Sequence, residues 1–151
     1  MTAQDFMNHY FPVAFPVFFI ALWLSIVAVI SYVGGWASLS TVFRAQFPFE
    51  GPSWGFQRGQ MRFGTGYNGC LTVGASPQGL YLAVFPLFRF MHPPLLIPWN
   101  QIKVRRGKSW LLGEYVTFTL GYETAIPLRI RGKLAAQLRD AAAGSWPIEE
   151  T

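Results

Sequence analysis

The sequence predicts a single apolar membrane-spanning helix followed by a small, mainly β domain that a C-terminal helix closes. Three observations carry this. Residues 11–33, FPVAFPVFFIALWLSIVAVISYV, run for 23 positions without a charge. All twelve Lys and Arg residues lie at position 44 or later, where they face six acids, and Asp5 is the only Asp or Glu before them. Beyond residue 56, short β-type runs alternate with Gly and Pro turns until an amphipathic stretch near the C-terminus.

The first element is the anchor. As a helix, 23 residues extend about 35 Å, against a hydrocarbon core of about 30 Å. Pro12 and Pro16 fall near its expected start, where first-turn amides lack partners. Ser25 and Ser31 can bond back to the preceding turn. Tyr10, Tyr32 and Trp36 stand where interfacial aromatic belts place their rings. A cleaved signal peptide needs a basic leader and a shorter apolar core, so a retained single-pass anchor is the expectation. The absence of Lys and Arg before position 44 puts the tail 1–10 outside and the C-terminal domain in the cytoplasm, at the inner surface of the membrane.

Residues 34–56 form a juxtamembrane segment and linker. Gly34-Gly35 loosens the helix and GWASLSTVFRAQF can resume it, with Trp36, Leu39, Phe43 and Phe47 at spacings of three or four. Such a helix can lie in the headgroup region, extend the anchor or pack on the domain, and the sequence does not choose. FPFEGPSWG then reads as irregular, because Pro48, Gly51, Pro52 and Gly55 oppose regular structure.

The β domain is placed at 57–143. FQRGQMRF and CLTVG are its first strands, on either side of a Gly-rich turn. SPQG at 76–79 is a turn, and GLYLAVFPLF is a buried strand. His92-Pro93-Pro94 punctuates before LLIPW. QIKVRRGKSWLL reads as a hairpin turning at Arg106-Gly107-Lys108. In YVTFTL, Val116, Phe118 and Leu120 alternate with polar positions. TAIPLRI puts Ile126, Leu128 and Ile130 on one face, and Pro127 implies an edge. GKLAAQLRDAAAG is a helix whose apolar stripe is Leu134, Ala135, Leu138 and Ala142, stopped by Gly144 and Pro147. A tail follows at 144–151.

The run of strands through LLIPW-x-x-I, a basic hairpin, two alternating strands and a terminal amphipathic helix resembles a bacterial pleckstrin-homology or GRAM-like domain over about 57–143. YNGCLTVGASPQGLYLAVFPLFRFMHPPLLIPWNQI is similar to a pattern in small bacterial single-pass membrane proteins. The resemblance implies a capped seven-strand barrel, or a sandwich, that binds lipids or protein segments. No Lys-x(n)-Lys/Arg-x-Arg motif spans the first hairpin, so specific phosphoinositide binding is not implied.

Residues able to do chemistry are few. GTGYNG at 64–69 matches G-x-G-x-x-G, but the β-type CLTVG follows it where a dinucleotide site needs a helix. His9 and His92 are the only histidines and are expected on opposite sides of the membrane. His92 therefore reads as a residue that orders its turn, and the lone Cys70, in an apolar strand, as a packed thiol. Trp54, Trp99, Trp110 and Trp146 read as core or interface rings, with Trp99 plugging the barrel. No catalytic, cofactor-binding or metal-binding residue is assigned.

The densest charge cluster is Arg105, Arg106 and Lys108, expected at a hairpin tip. Three bases facing an anionic leaflet contribute roughly 1 kcal/mol each. The chain is thus expected to be a nonenzymatic interaction module in the lipid bilayer, binding anionic headgroups or protein partners and no nucleic acid, since no stacking platform accompanies the bases. The alternative is a small structural subunit of a larger membrane complex.

Overall fold

The computed structural model describes residues 1–111 and 113–150. It opens with α1 (Ala3–Gly34), a helix of 32 residues or about 48 Å. Among the described residues this is the one helix long and apolar enough to cross a membrane. It starts eight residues before the uncharged run because Thr2 and Asp5 cap it reciprocally. The Asp5 amide donates to Thr2 Oγ1 at 3.2 Å, and the Thr2 amide donates to Asp5 Oδ2 at 3.1 Å. Pro12 and Pro16 are consequently inside the helix rather than in its first turn, and the carbonyls four residues before each lose their usual donor.

Gly35, at φ 96°, ends α1 and begins α2 (Trp36–Phe43). A Cβ there would lie 2.6 Å from Cδ1 of Ile126, so close approach and left-handed backbone both require glycine. α2 packs on the domain: Trp36 and Leu39 are completely buried in its core. Trp36 is therefore a core side chain and not an interfacial ring. Tyr10 and Tyr32 remain exposed on α1.

The sheet comprises β1 (Ser53–Gln60), β2 (Gly66–Ser76), β3 (Gly79–Val84), β4 (Leu95–Pro98), β5 (Ile102–Ser109), β6 (Gly113–Leu120), β7 (Ile126–Arg131) and the short β8 (Glu149–Glu150). Their order is β4-β3-β2-β1-β7-β6-β5-β8, a curled half-barrel that is antiparallel except where β8 joins β5. α3 (Gly132–Ala142) lays Leu134, Ala135, Leu138 and Ala142 on its inner face. The expected fold class, an apolar N-terminal helix, then a small β barrel-like domain and a C-terminal helix, is the one observed.

Several elements differ locally. β1 begins at Ser53, inside the stretch expected to be irregular, and accommodates it with a bulge between Trp54 and Gln57 in which Phe56 takes φ 54°. The apolar run after Gly79 leaves the sheet at Val84, because Pro86 starts a 3-10 turn. Pro127 sits within an interior strand and pairs with Thr119 of β6, yet β1 meets β7 in the single pair Gln60–Arg129, so the β1 side of β7 is unpaired at the proline.

The largest difference concerns 102–109. This segment is one continuous strand paired with β6 from Ile102–Leu120 to Ser109–Gly113, so the hairpin turns after Ser109. Arg106, Gly107 and Lys108 are not a turn. Gly107 pairs with Tyr115 within the strand, and glycine is required there because the Tyr115 ring lies across the space a Cβ would take.

Candidate functional site

Strand geometry breaks up the basic cluster read from the sequence. Successive side chains of a strand point to opposite faces, so Arg105 shares the outer face with Lys103, whereas Arg106 and Lys108 lie on the side of Ile102 and Val104. Arg106 is also engaged. Its Nη2 lies 2.8 Å from Glu149 Oε1, and its Nε donates to Glu149 Oε2 at 3.2 Å. The hydrogen bond from Arg106 holds the Glu149 carboxyl below the usual range, and Glu149 raises the Arg106 guanidinium in turn. Trp146 Nε1 adds a 3.3 Å bond to the same carboxylate. This pair fastens the C-terminal strand to β5.

A different basic cluster forms where the barrel is weakest. Because β1 and β7 share one ladder pair, a cleft opens along their seam, lined by Arg58, Arg129, Arg131 and Lys133, with Glu114 the one carboxylate on its wall. Arg129 and Arg131 arrive by ordinary alternation. Ile126, Leu128 and Ile130 fill the core, which turns Arg129 and Arg131 outward, and Lys133 is on the exposed side of α3. Gly64, Gly66 and Gly132 line the cleft without filling it. The Arg129 guanidinium stacks on the Tyr115 ring, 4.2 Å from its centroid, which fixes its plane. Among the described residues, none of the four cations has a carboxylate within 4 Å. Such a cleft presents several forked donors to an anion.

The cleft is close to the end of α1. Arg62, in the turn between β1 and β2, donates from Nη2 to the Tyr32 carbonyl at 2.9 Å and from Nε to the Val33 carbonyl at 3.1 Å. These are carbonyls that the last turn of a helix leaves without partners. The same turn supplies Gly64 to the cleft wall. Sequence reading missed this cluster because its members come from β1, β7 and α3, and alternation alone does not bring those elements together.

The other candidates resolve as structural. Gly64 ends the turn and Gly66 begins β2, with Gly69 at φ 76° inside the strand, so GTGYNG is a turn running into a strand. His92 is buried, 1% exposed. Its Nδ1–H donates to the Phe90 carbonyl at 3.0 Å, leaving Nε2 to accept from the Tyr67 hydroxyl at 2.9 Å. Burial lowers the His92 pKa and raises those of the Tyr67 phenol and the half-buried Cys70 thiol. A neutral imidazole with both nitrogens occupied orders its loop, as expected. Among the described residues no group of His, Cys, Asp and Glu could hold a metal ion. Trp99 plugs the barrel and donates to the Ser76 carbonyl at 2.7 Å, while Trp110 is 95% exposed at the β5–β6 turn rather than in the core. No family model, curated protein or solved structure matches the chain.

Proposed function

We propose that this protein is a membrane-anchored, nonenzymatic interaction module with a pleckstrin-homology or GRAM-like domain, binding anionic lipid headgroups at the cytoplasmic surface of the inner membrane. The observation that carries the reading is the cleft at the β1–β7 seam: four cations without ion-pair partners among the described residues, beside a turn whose Arg62 grips the last carbonyls of α1. An anion held there sits next to the point at which the helix leaves lipid. Seven antiparallel strands and a helix on their inner face support the fold likeness, and the positive-inside rule supports the orientation.

The test is hydrogen exchange on the full-length chain in nanodiscs. In discs containing anionic lipid, exchange in β1 and β7 slows relative to neutral discs, and the difference disappears in high salt and in an Arg58/Arg129/Arg131/Lys133 quadruple alanine variant. Equal exchange in both discs removes the lipid reading and leaves an acidic protein segment as the ligand to seek.

The structural-subunit reading has one observation in its favour. Phe11, Phe15, Phe19 and Trp23 stack at successive intervals of four residues along α1, with ring centroids 5.5, 6.5 and 6.4 Å apart. The Phe11, Phe15 and Phe19 portion of that stripe is the surface a partner helix would meet.

A further inference from the structure

The apolar helix and the β domain meet along a second line besides the chain's own turn. Residues 85–93, FPLFRFMHP, run back beside α1, and three side chains reach their backbone. Trp23 Nε1 donates to the Leu87 carbonyl at 3.2 Å, Ser31 Oγ to that of Met91 at 2.5 Å, and Trp36 Nε1 to that of Pro93 at 2.9 Å. The Trp23 ring also lies 5.2 Å from Phe88. Trp23 and Ser31 are eight residues apart, so this line extends about 12 Å along the helix wall.

The opposite face of α1 stays apolar and exposed through the same interval, at Leu22, Ile26, Val29 and Val33. On the reading that α1 spans a bilayer, lipid covers that face as far as Val33, and the loop shares the depth of the residues it touches. The alternative placement, with the bilayer ending near Trp23, would leave this apolar face in water and draw Asp5, Asn8 and His9 into hydrocarbon.

We propose that residues 85–91, with Phe56 beside them, form a wedge that enters the hydrocarbon of the leaflet α1 crosses. The wedge exposes Phe85, Leu87 and Phe90, and the ring of Phe56, 78% exposed, lies 6.4 Å from Phe85. Six of its seven carbonyls have donors, which lowers the cost of a medium without water, where each unmet polar group costs several kcal/mol. The carbonyls of Phe85 and Pro86 accept from the amides of Phe88 and Arg89, and that of Arg89 from the His92 amide. Those of Leu87, Phe90 and Met91 accept from Trp23, His92 and Ser31. Arg89 is the one charge in the wedge. Its Nε donates to the Val84 carbonyl at 3.3 Å, which turns the guanidinium back toward the domain and gives the charge a polar partner.

Depth measured by electron paramagnetic resonance tests this on the full-length chain in liposomes, with a nitroxide on single cysteines in a Cys70→Ala background. The label sites are Leu87→Cys, Ile20→Cys and Ile26→Cys on α1, and Gln137→Cys on the exposed side of α3. The wedge predicts that Leu87 collides with oxygen in preference to a nickel chelate, as Ile20 and Ile26 do, with a depth parameter opposite in sign to that of Gln137. Preference for the nickel chelate at Leu87, with Ile20 still in lipid, overturns the wedge and leaves the anchor intact. Shielding of Leu87 from both reagents overturns it in favour of a protein contact, such as a second copy. An aqueous reading at Ile20 removes the spanning helix itself and the wedge with it.

Discussion

The indole of Trp36 donates to the carbonyl of Pro93 at 2.9 Å, with its ring completely buried between Tyr67 and His92. The residue that begins α2 is thereby a core element of the β domain. Helix and domain are one packed body at this point rather than an anchor and a tethered module.

Replacing Trp36 by alanine therefore costs the domain about 3–5 kcal/mol, the range for a buried large aromatic. Thermal unfolding of the purified full-length variant in detergent, followed by near-ultraviolet circular dichroism, reads the loss. A change below 1 kcal/mol would mean that the ring is dispensable to the core.

A fragment beginning at residue 52 removes Trp36 and Leu39 together and leaves their places in the core empty. One beginning at Gly35 retains both. The longer fragment is expected to give the sharper and higher melting transition, and equal transitions would show that α2 contributes nothing to stability.

The burial of His92 gives a pH dependence of known sign. Burial holds the folded-state pKa of His92 below its ordinary 6.5, so on acidification the unfolded chain takes up its proton first. Stability is complete above about pH 6.5 and declines as pH falls toward the lower folded value. His92→Gln flattens that decline. Tyr67→Phe leaves Nε2 without a donor and costs about 1–3 kcal/mol. Urea unfolding at pH 5.5 and 7.5 checks both.

Arg106 and Glu149 form an exposed pair, and exposed pairs contribute only about 0.2–1 kcal/mol. Glu149→Ala should release the C-terminal strand, seen as faster hydrogen exchange at 149–150, with little change in melting temperature. The Arg105/Arg106/Lys108 triple alanine variant is expected to reduce binding to anionic vesicles less than the quadruple cleft variant does, since strand alternation divides the three residues between two faces. The reverse ranking would return the contact to the β5 cluster.

What the sequence made legible was periodicity. Val116, Phe118 and Leu120 in β6, Ile126, Leu128 and Ile130 in β7, and the α3 stripe all face the core as their spacing requires. What it concealed were features that depend on a partner distant along the chain. Gly107 between cations looks like a turn until the Tyr115 ring above it is known. The true turn carries Trp110 and Leu111, apolar residues that give no turn signal. The cleft was hidden for the same reason, because Arg58, Arg129, Arg131 and Lys133 converge only once β1 and β7 are brought together.

The most direct test of the account is the topology of the full chain. Single cysteines at Thr2 and Gln137, in a Cys70→Ala background, would be exposed to a membrane-impermeant maleimide in sealed inner-membrane vesicles of both orientations from bacteria expressing the protein. A spanning α1 with a cytoplasmic domain predicts labelling of the Thr2 site only from the outer face and of the Gln137 site only from the cytoplasmic face. Labelling of both sites from one face would contradict the single-span anchor on which the proposed function rests.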